Sequence, residues 1–274
     1  VTATIAPATD DAAELTLAEL DLLGTFAGAR FPFPLRVPSF GRIEGERTAL
    51  LAAAGRTLAG RRLATGRGPA GLAAELAAAL RGHRNAVDLV IVDGATVTGV
   101  VAMIAGPHAV VCRQSLGRTP GPVTVTRVPA ATLTDAFTRH IPKVAAAPAL
   151  PITLPPGVIG DALRLLENTA GLAAPRKRVR TLVRERGGDE SAVDALAALV
   201  PSVVGRGQLG VVLRPGTGAV DRPLELSWLD SPRGRVRVDG DTRGWVSINP
   251  LRHSELIKAL GEAATVARGG HIHV

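Results

Sequence analysis

The sequence predicts an α+β fold made by duplication, with two halves sharing one central antiparallel sheet about a pseudo-twofold axis. Three observations carry this expectation. A block of helical segments, four strands on short turns and one more helix is spelled twice, ending first near Pro142 and restarting near Pro155. The strand connections are too brief for parallel neighbours, which need crossovers of a dozen or more residues. Each four-stranded unit alone would also expose unpaired edges, and merging removes two of them. The expected boundaries are 1–142 for the first half, 143–156 for a linker, 157–268 for the second half and 269–274 for a tail.

Thr16 and Glu19 form a capping box ahead of Leu17, Leu20, Leu23 and Phe26, so a helix with one apolar face starts here. Gly28 and the segment Phe31-Pro-Phe-Pro-Leu-Arg-Val-Pro38 end it and impose an extended crossing. A second helix is expected from about Glu44 to Leu63. A third follows Pro69, which suits a first helical position, and stops at Gly82. Val87–Val92 is apolar on both faces, and Asp93-Gly94 is a favoured hairpin dipeptide. Strands at Val97–Ile104, Ala109–Gln114 and Val123–Val128 follow, separated by Gly106-Pro107 and a loop over Leu116–Pro122. Their continuous apolar character implies helices covering much of the sheet. Pro129 then opens a helix carrying Leu133, Phe137 and Ile141.

The stretch 142–156 holds five prolines and reads as the linker. Helices are expected at about 157–170, 175–186 and 189–200, punctuated by Gly171 and Gly187-Gly188. The strand pattern returns at Gln208–Arg214, Leu224–Leu229, Arg235–Val238 and Trp245–Ile248. Ser231-Pro-Arg-Gly234 and Asp239-Gly-Asp-Thr-Arg-Gly244 supply the turns between the last three. Asn249 is expected to cap a final helix with Pro250 in its first turn and Leu256 and Leu260 facing inward.

Composition narrows the function. The 274 residues are 46% hydrophobic, enough for a substantial core, but 5 Phe, 2 Trp and no Tyr supply few platforms for stacking bases. The net charge of +8 rests mostly on scattered Arg, which reads as solvated helix surface, with an acidic partner as the alternative. Cys112, the only cysteine, lies in an apolar run, so no internal disulfide forms and a reducing cytosol fits. Val1–Glu14 lacks the pattern of a secretory signal. The longest apolar stretch, Val97–Val111, is interrupted and shorter than the ~20 residues that span a bilayer. The expectation is a soluble cytoplasmic protein without membrane association.

Candidate chemistry is sparse. Gly205-Arg-Gly207-Gln-Leu-Gly210 has dinucleotide-binding spacing, but Val211-Val-Leu213 after it reads as a strand where pyrophosphate needs a helix start. No histidine pair shows the spacing of a helical zinc site, and His271 and His273 belong to the tail. Cys112 reads as buried rather than nucleophilic. No catalytic residue, cofactor or metal is therefore expected. Arg176-Lys-Arg-Val-Arg180 with Arg184 and Arg186 reads as a solvated helix face, with a nucleic-acid-associated regulator using helix 176–186 as the runner-up. Arg233, Arg235 and Arg237 alternate with Val236 and Val238, while Leu224, Leu226 and Trp228 share a face of the preceding strand. A large aromatic beside Arg is the composition of a protein-binding hot spot, with burial under a helix as the other reading.

Leu15-Thr-Leu-Ala-Glu-Leu-Asp-Leu-Leu23, Pro32-Phe-Pro-Leu-Arg-Val-Pro38, Gly41-Arg42 and Glu46-Arg47 resemble the opening of the EspG family, cytosolic chaperones of type VII (ESX) secretion in actinobacteria. Gly207-Gln-Leu-Gly210, Asp230-Ser-Pro-Arg-Gly-Arg235 and Gly244-Trp-Val-Ser247 are similar to that family's C-terminal pattern. The resemblance runs from about Leu15 to Ala267. It implies a central antiparallel sheet flanked by two helical bundles and a non-enzymatic role. It further implies a client, the tip of a helical-hairpin substrate such as the PPE subunit of a PE–PPE pair, kept soluble and directed to its secretion system. The family's contact surface involves the C-terminal bundle, the sheet and the loop between the second and third strands. Here that loop is only Ala105-Gly-Pro-His108. The residues expected to hold the client are Leu163, Leu166, Leu224, Leu226, Trp228, Arg235 and Arg237. No nucleic-acid partner is expected, and a homodimer is left open.

Overall fold

The computed structural model describes residues 11–148, 151–158, 175–189, 191–199, 202–214 and 220–269. Its elements in chain order are β1 (Ala12–Leu15), α1 (Leu17–Ala27), α2 (Glu44–Gly60), β2 (Ala64–Thr65), β3 (Gly68–Pro69), α3 (Gly71–Gly82), β4 (Asn85–Asp93), β5 (Thr96–Ala105), β6 (His108–Ser115), β7 (Val123–Pro129) and α4 (Leu133–Thr138). There follow β8 (Ile152–Leu154), α5 (Pro175–Glu185), α6 (Ser191–Leu199), β9 (Gly205–Leu213), β10 (Asp221–Ser231), β11 (Gly234–Gly240), β12 (Val246–Pro250) and α7 (His253–Ala267).

Ten strands hydrogen-bond in the order β1-β7-β6-β5-β4-β9-β10-β11-β12-β8. Read outward from β4 and β9, the order is the same on both sides. Each meander of four is followed by a short strand that precedes its helices in the chain. This is the duplication the sequence spells, with two edge strands added. Ala12–Leu15 pairs antiparallel with β7, and Ile152–Leu154 pairs antiparallel with β12. The second of these lies inside the stretch expected as a linker. Three and four residues are too short for periodicity to announce a strand.

The chain divides into two compact units, residues 1–141, 208–225 and 257–274, and residues 142–207 and 226–256. In the first, Leu20 and Leu23 of α1, Leu58 of α2 and Leu72, Leu76 and Leu80 of α3 pack on Val101, Met103, Val110, Cys112 and Val125 of the sheet. The capping box is formed: Thr16 N donates to Glu19 Oε2 at 2.8 Å and Glu19 N to Thr16 Oγ1 at 3.2 Å. Gly28 ends α1 with φ +62°, where a side chain would be strained. Phe26, expected on the apolar face, is 51% exposed under the Arg81 guanidinium. An i+3 series drifts about 60° per step around a helix of 3.6 residues per turn, so Phe26 lies half a turn from Leu17. Arg47 ties α2 to α1 with two hydrogen bonds to the Asp21 carboxylate, at 2.8 and 3.1 Å.

Pro69, expected to open α3, instead faces Ala64 in the small β2–β3 hairpin, and the helix starts two residues later. The β4–β5 turn is also shifted by one residue. Asp93 remains paired with Thr96, and the loop is Gly94-Ala95 with φ +54° at the glycine.

In the second unit, α5 and α6 contribute Val183, Ala192 and Val193 to a core with Leu154, Val158, Val236 and Ile248. Asn249 does not cap α7. It pairs with Arg237 in β12, and Glu255 closes the helix start by accepting from Arg252 N at 2.8 Å. The helix expected at 157–170 lies outside the described residues beyond residue 158.

The dinucleotide-like spacing on β9 has a packing origin. A Cβ on Gly207 would lie 2.0 Å from the Trp228 ring. One on Gly210 would lie 2.3 Å from Arg222 Nη2 and 3.0 Å from Asp88 Oδ1. Arg222, which bridges to the buried Asp88 at 3.1 Å, thus depends on the missing side chain. Gly207→Ala is expected to lower the unfolding free energy in urea by roughly 1–3 kcal/mol through overpacking. The cost should shrink when Trp228 is first shortened to Leu.

Candidate functional site

Arg235 begins the account of the site because it is the largest buried charge. Its side chain is fully buried, with Nε 2.6 Å and Nη2 2.9 Å from the two oxygens of Asp230, which faces it across β10–β11. Nη2 also donates to Pro142 O at 3.0 Å. The guanidinium carbon is 5.4 Å from the Trp228 ring centre, a cation–π distance. The backbone is equally enclosed: Arg235 N donates to Ala145 O at 2.7 Å, and Ala147 N donates to Arg235 O at 3.0 Å. Gly234 makes this passage possible, since a Cβ there would be 2.6 Å from Ala147 N.

The residues expected to hold the client differ in their exposure. Leu226, Trp228 and Arg235 are buried, while Leu224 and Arg237 keep partial exposure. Arg237 pairs with Asp239 at 2.5 Å. Alternation identified which residues share a face, but the backbone of 145–147 alongside β11 left no sequence signal. Leu163 and Leu166 lie outside the described residues. On α5, Arg180 pairs with Asp194 and Arg186 donates to Pro156 O, so part of the basic run is engaged within the unit.

An accessible concave surface of the second unit lies around the other tryptophan, Trp245. A hollow of about 610 Å³ has Ile152 and Thr153 of β8 as its floor, Gly187-Gly188 and the first turn of α6 as its wall, and Trp245 at one side. A second, of about 400 Å³, shares Thr153 and Trp245 and is bounded by Asp239, Asp241 and Arg243. Local chemistry fixes both walls. Asp241 accepts from the backbone N of Arg243 and of Trp245, each at 2.8 Å, and Asp241 N returns a bond to Trp245 O at 2.9 Å. Gly188 packs so closely on Pro155 and Val183 that a Cβ would lie 2.7 and 2.8 Å away. Asp189 accepts from the Ser191 hydroxyl and from Ser191 N, the latter at 2.9 Å, and these hydrogen bonds hold its carboxyl below the usual range. Trp245 was missed as a site residue. Its signal was the Gly-Trp-Val that ends an Asx-rich turn.

The arrangement suits recognition of an apolar or extended polypeptide surface, with an aromatic anchor between two recesses and β8 as the last strand of the sheet. Burial pushes the Cys112 thiol up to about 12, far from a thiolate at neutral pH. Among the described residues no cluster of three or more metal-binding side chains occurs, and no helix is long and apolar enough to cross a membrane.

A duplicated scaffold of helices on an antiparallel sheet, with a recess beside Trp245, is the class these features define. The model of the EspG family matches residues 16–262, and the chain belongs to that family. Among solved structures, it is similar to the Mycobacterium tuberculosis type VII secretion system chaperone EspG5 in complex with the PE25-PPE41 dimer. The TM-score is 0.63 at 14% identity, covering 95% of this chain and 98% of that one. No curated protein matches the chain.

Two expected outcomes follow from the charges. Asp230→Ala should cost about 3–5 kcal/mol in chemical denaturation, because it strands the Arg235 charge in the interior. Burial, first among the causes, lowers the pKa of His83, His140 and His253 from 6.5. The unfolded chain then takes up protons that the folded one refuses. Stability contributed by these groups is complete above about pH 6.5 and is lost as pH falls through the depressed values. Unfolding free energy should therefore decline between pH 7 and 5, with a shallower slope in His83→Asn.

Proposed function

We propose that this protein is a chaperone of type VII secretion that binds a PE–PPE dimer, keeps it soluble and delivers it to its secretion system. The observation that carries the reading is membership of the EspG family along nearly the whole chain. The likeness to EspG5, solved with the PE25-PPE41 dimer, supports the same partner class. The work is done by binding, with no bond made or broken, in the cytoplasm before export. A client that exposes apolar side chains at the tip of a helical hairpin would self-associate, and a complementary recess removes those side chains from water.

The surface proposed for the client is the recess on either side of Trp245, with Arg237 reaching its rim through Asp239. Leu224 is a further contact. Leu226, Trp228 and Arg235 support it from within. The test is calorimetric titration of the protein with a co-expressed PE–PPE dimer from the same genome. Trp245→Ala should weaken binding at least tenfold, the loss expected for an aromatic anchor, while the circular dichroism spectrum stays unchanged. Unaltered affinity would move the contact elsewhere. Failure of the unmodified protein to hold any such dimer would reject the partner class itself.

A further inference from the structure

The face of β11 that carries Arg235 gathers buried donors without acceptors. Nη1 of Arg235 is buried and has no hydrogen-bond partner among the described residues, although Nε and Nη2 of the same group are satisfied. The indole Nε1 of Trp228, a residue 1% exposed, is in the same condition, and so is Nδ1 of His253. Arg235 is the neighbour common to Trp228 and His253. Arg235 stacks on Trp228 at 5.4 Å, and Leu251 N donates to Arg235 O at 3.1 Å, which brings the start of α7 against the strand. His253 is the first residue of that fifteen-residue helix and feels the charges of Arg235 and Lys143.

The chemistry calls for an acceptor. Guanidinium and indole N–H groups can only donate, and a buried donor left unpaired is destabilising, the more so when it is charged. The Asp230 carboxylate is already engaged with the other edge of Arg235. The start of α7 adds positive potential of the same sign. We propose that Arg235 Nη1, Trp228 Nε1 and His253, in the tautomer that carries its proton on Nδ1, hold a halide-sized monovalent anion, chloride in ordinary solution, which fastens the start of α7 and the 142–147 segment to β11. A water molecule is the rival occupant. It accepts two of these bonds but must place its own two hydrogens on acceptors, whereas a halide receives every donor and offsets the local positive charge.

The full-length protein crystallised from bromide decides between them. An anomalous bromide peak in contact with both Arg235 Nη1 and Trp228 Nε1 is the expected result, and an ordered water or empty density there would overturn the proposal. In solution, the thermal midpoint should be higher in sodium chloride than in sodium gluconate at equal ionic strength. The gap should grow with the logarithm of chloride concentration. Trp228→Phe keeps an aromatic ring and deletes one donor, so it should narrow that gap. Identical midpoints in the two salts, or an undiminished gap in Trp228→Phe, would each refute it. Client binding is not read by any of these measurements, so their outcome is separate from that of the secretion reading.

Discussion

The constraint on which the rest depends is the emptiness of β9 at two positions. A sheet of ten strands places every interior strand between two neighbours whose side chains compete for the same layer. At Gly207 the layer is taken by the Trp228 indole, and at Gly210 by the Arg222–Asp88 bridge. Each glycine lets a larger group lie across the strand. Burial raises the Asp88 pKa, while the nearby Arg222 charge opposes that rise without cancelling it. The bridge therefore holds a carboxylate in a place that disfavours its charge. A spacing that resembles a phosphate-binding loop is here the mark of side chains crossing a strand.

The buried Arg235 is the second consequence of close packing. A guanidinium leaves water only when its donors find fixed acceptors, and Asp230 provides two oxygens in the geometry of its planar fork. The third acceptor, Pro142 O, comes from a segment rich in proline. Proline restricts φ and has no N–H, so such a segment tends to stay extended and leaves its carbonyls available for neighbours. A stretch that reads as a spacer thus becomes part of the second unit's core, with Ala147 and Leu154 buried in it.

This explains what was legible in the sequence and what was not. The meanders, their turns and the capping box at Thr16 were legible because each depends on local pattern: period-two alternation, glycine at a tight turn, a hydroxyl three residues before a carboxylate. The fates of Trp228 and Arg235 were not, because Arg235 is enclosed by residues 142–147, about ninety positions earlier in the chain, and Trp228 fills the space that Gly207 leaves on another strand. Alternation says that Arg235 and Trp228 point the same way. It does not say whether that direction is solvent. Trp245 was the converse case: it was expected to open a strand, but β12 begins one residue later and the indole stands between two recesses because the Asp241 turn ends immediately before it.

The shape of the β5–β6 hairpin bears on how the client proposed above is held. Ala105 pairs with His108, so the loop is Gly106-Pro107 alone, and φ at Gly106 is +62°. A two-residue loop with glycine and proline offers no flexible arm and no long side chain beyond the strand ends. Specificity for any partner must here come from surfaces fixed by secondary structure. The recess beside Trp245 meets that requirement. Its floor is a strand, one wall is a helix whose first turn is closed by Asp189, and its aromatic side is set by two backbone bonds to one carboxylate. A rigid recess loses little side-chain freedom on binding and so converts more of its contact into affinity. It also tolerates fewer shapes, so a binding surface built this way discriminates among partners by fit.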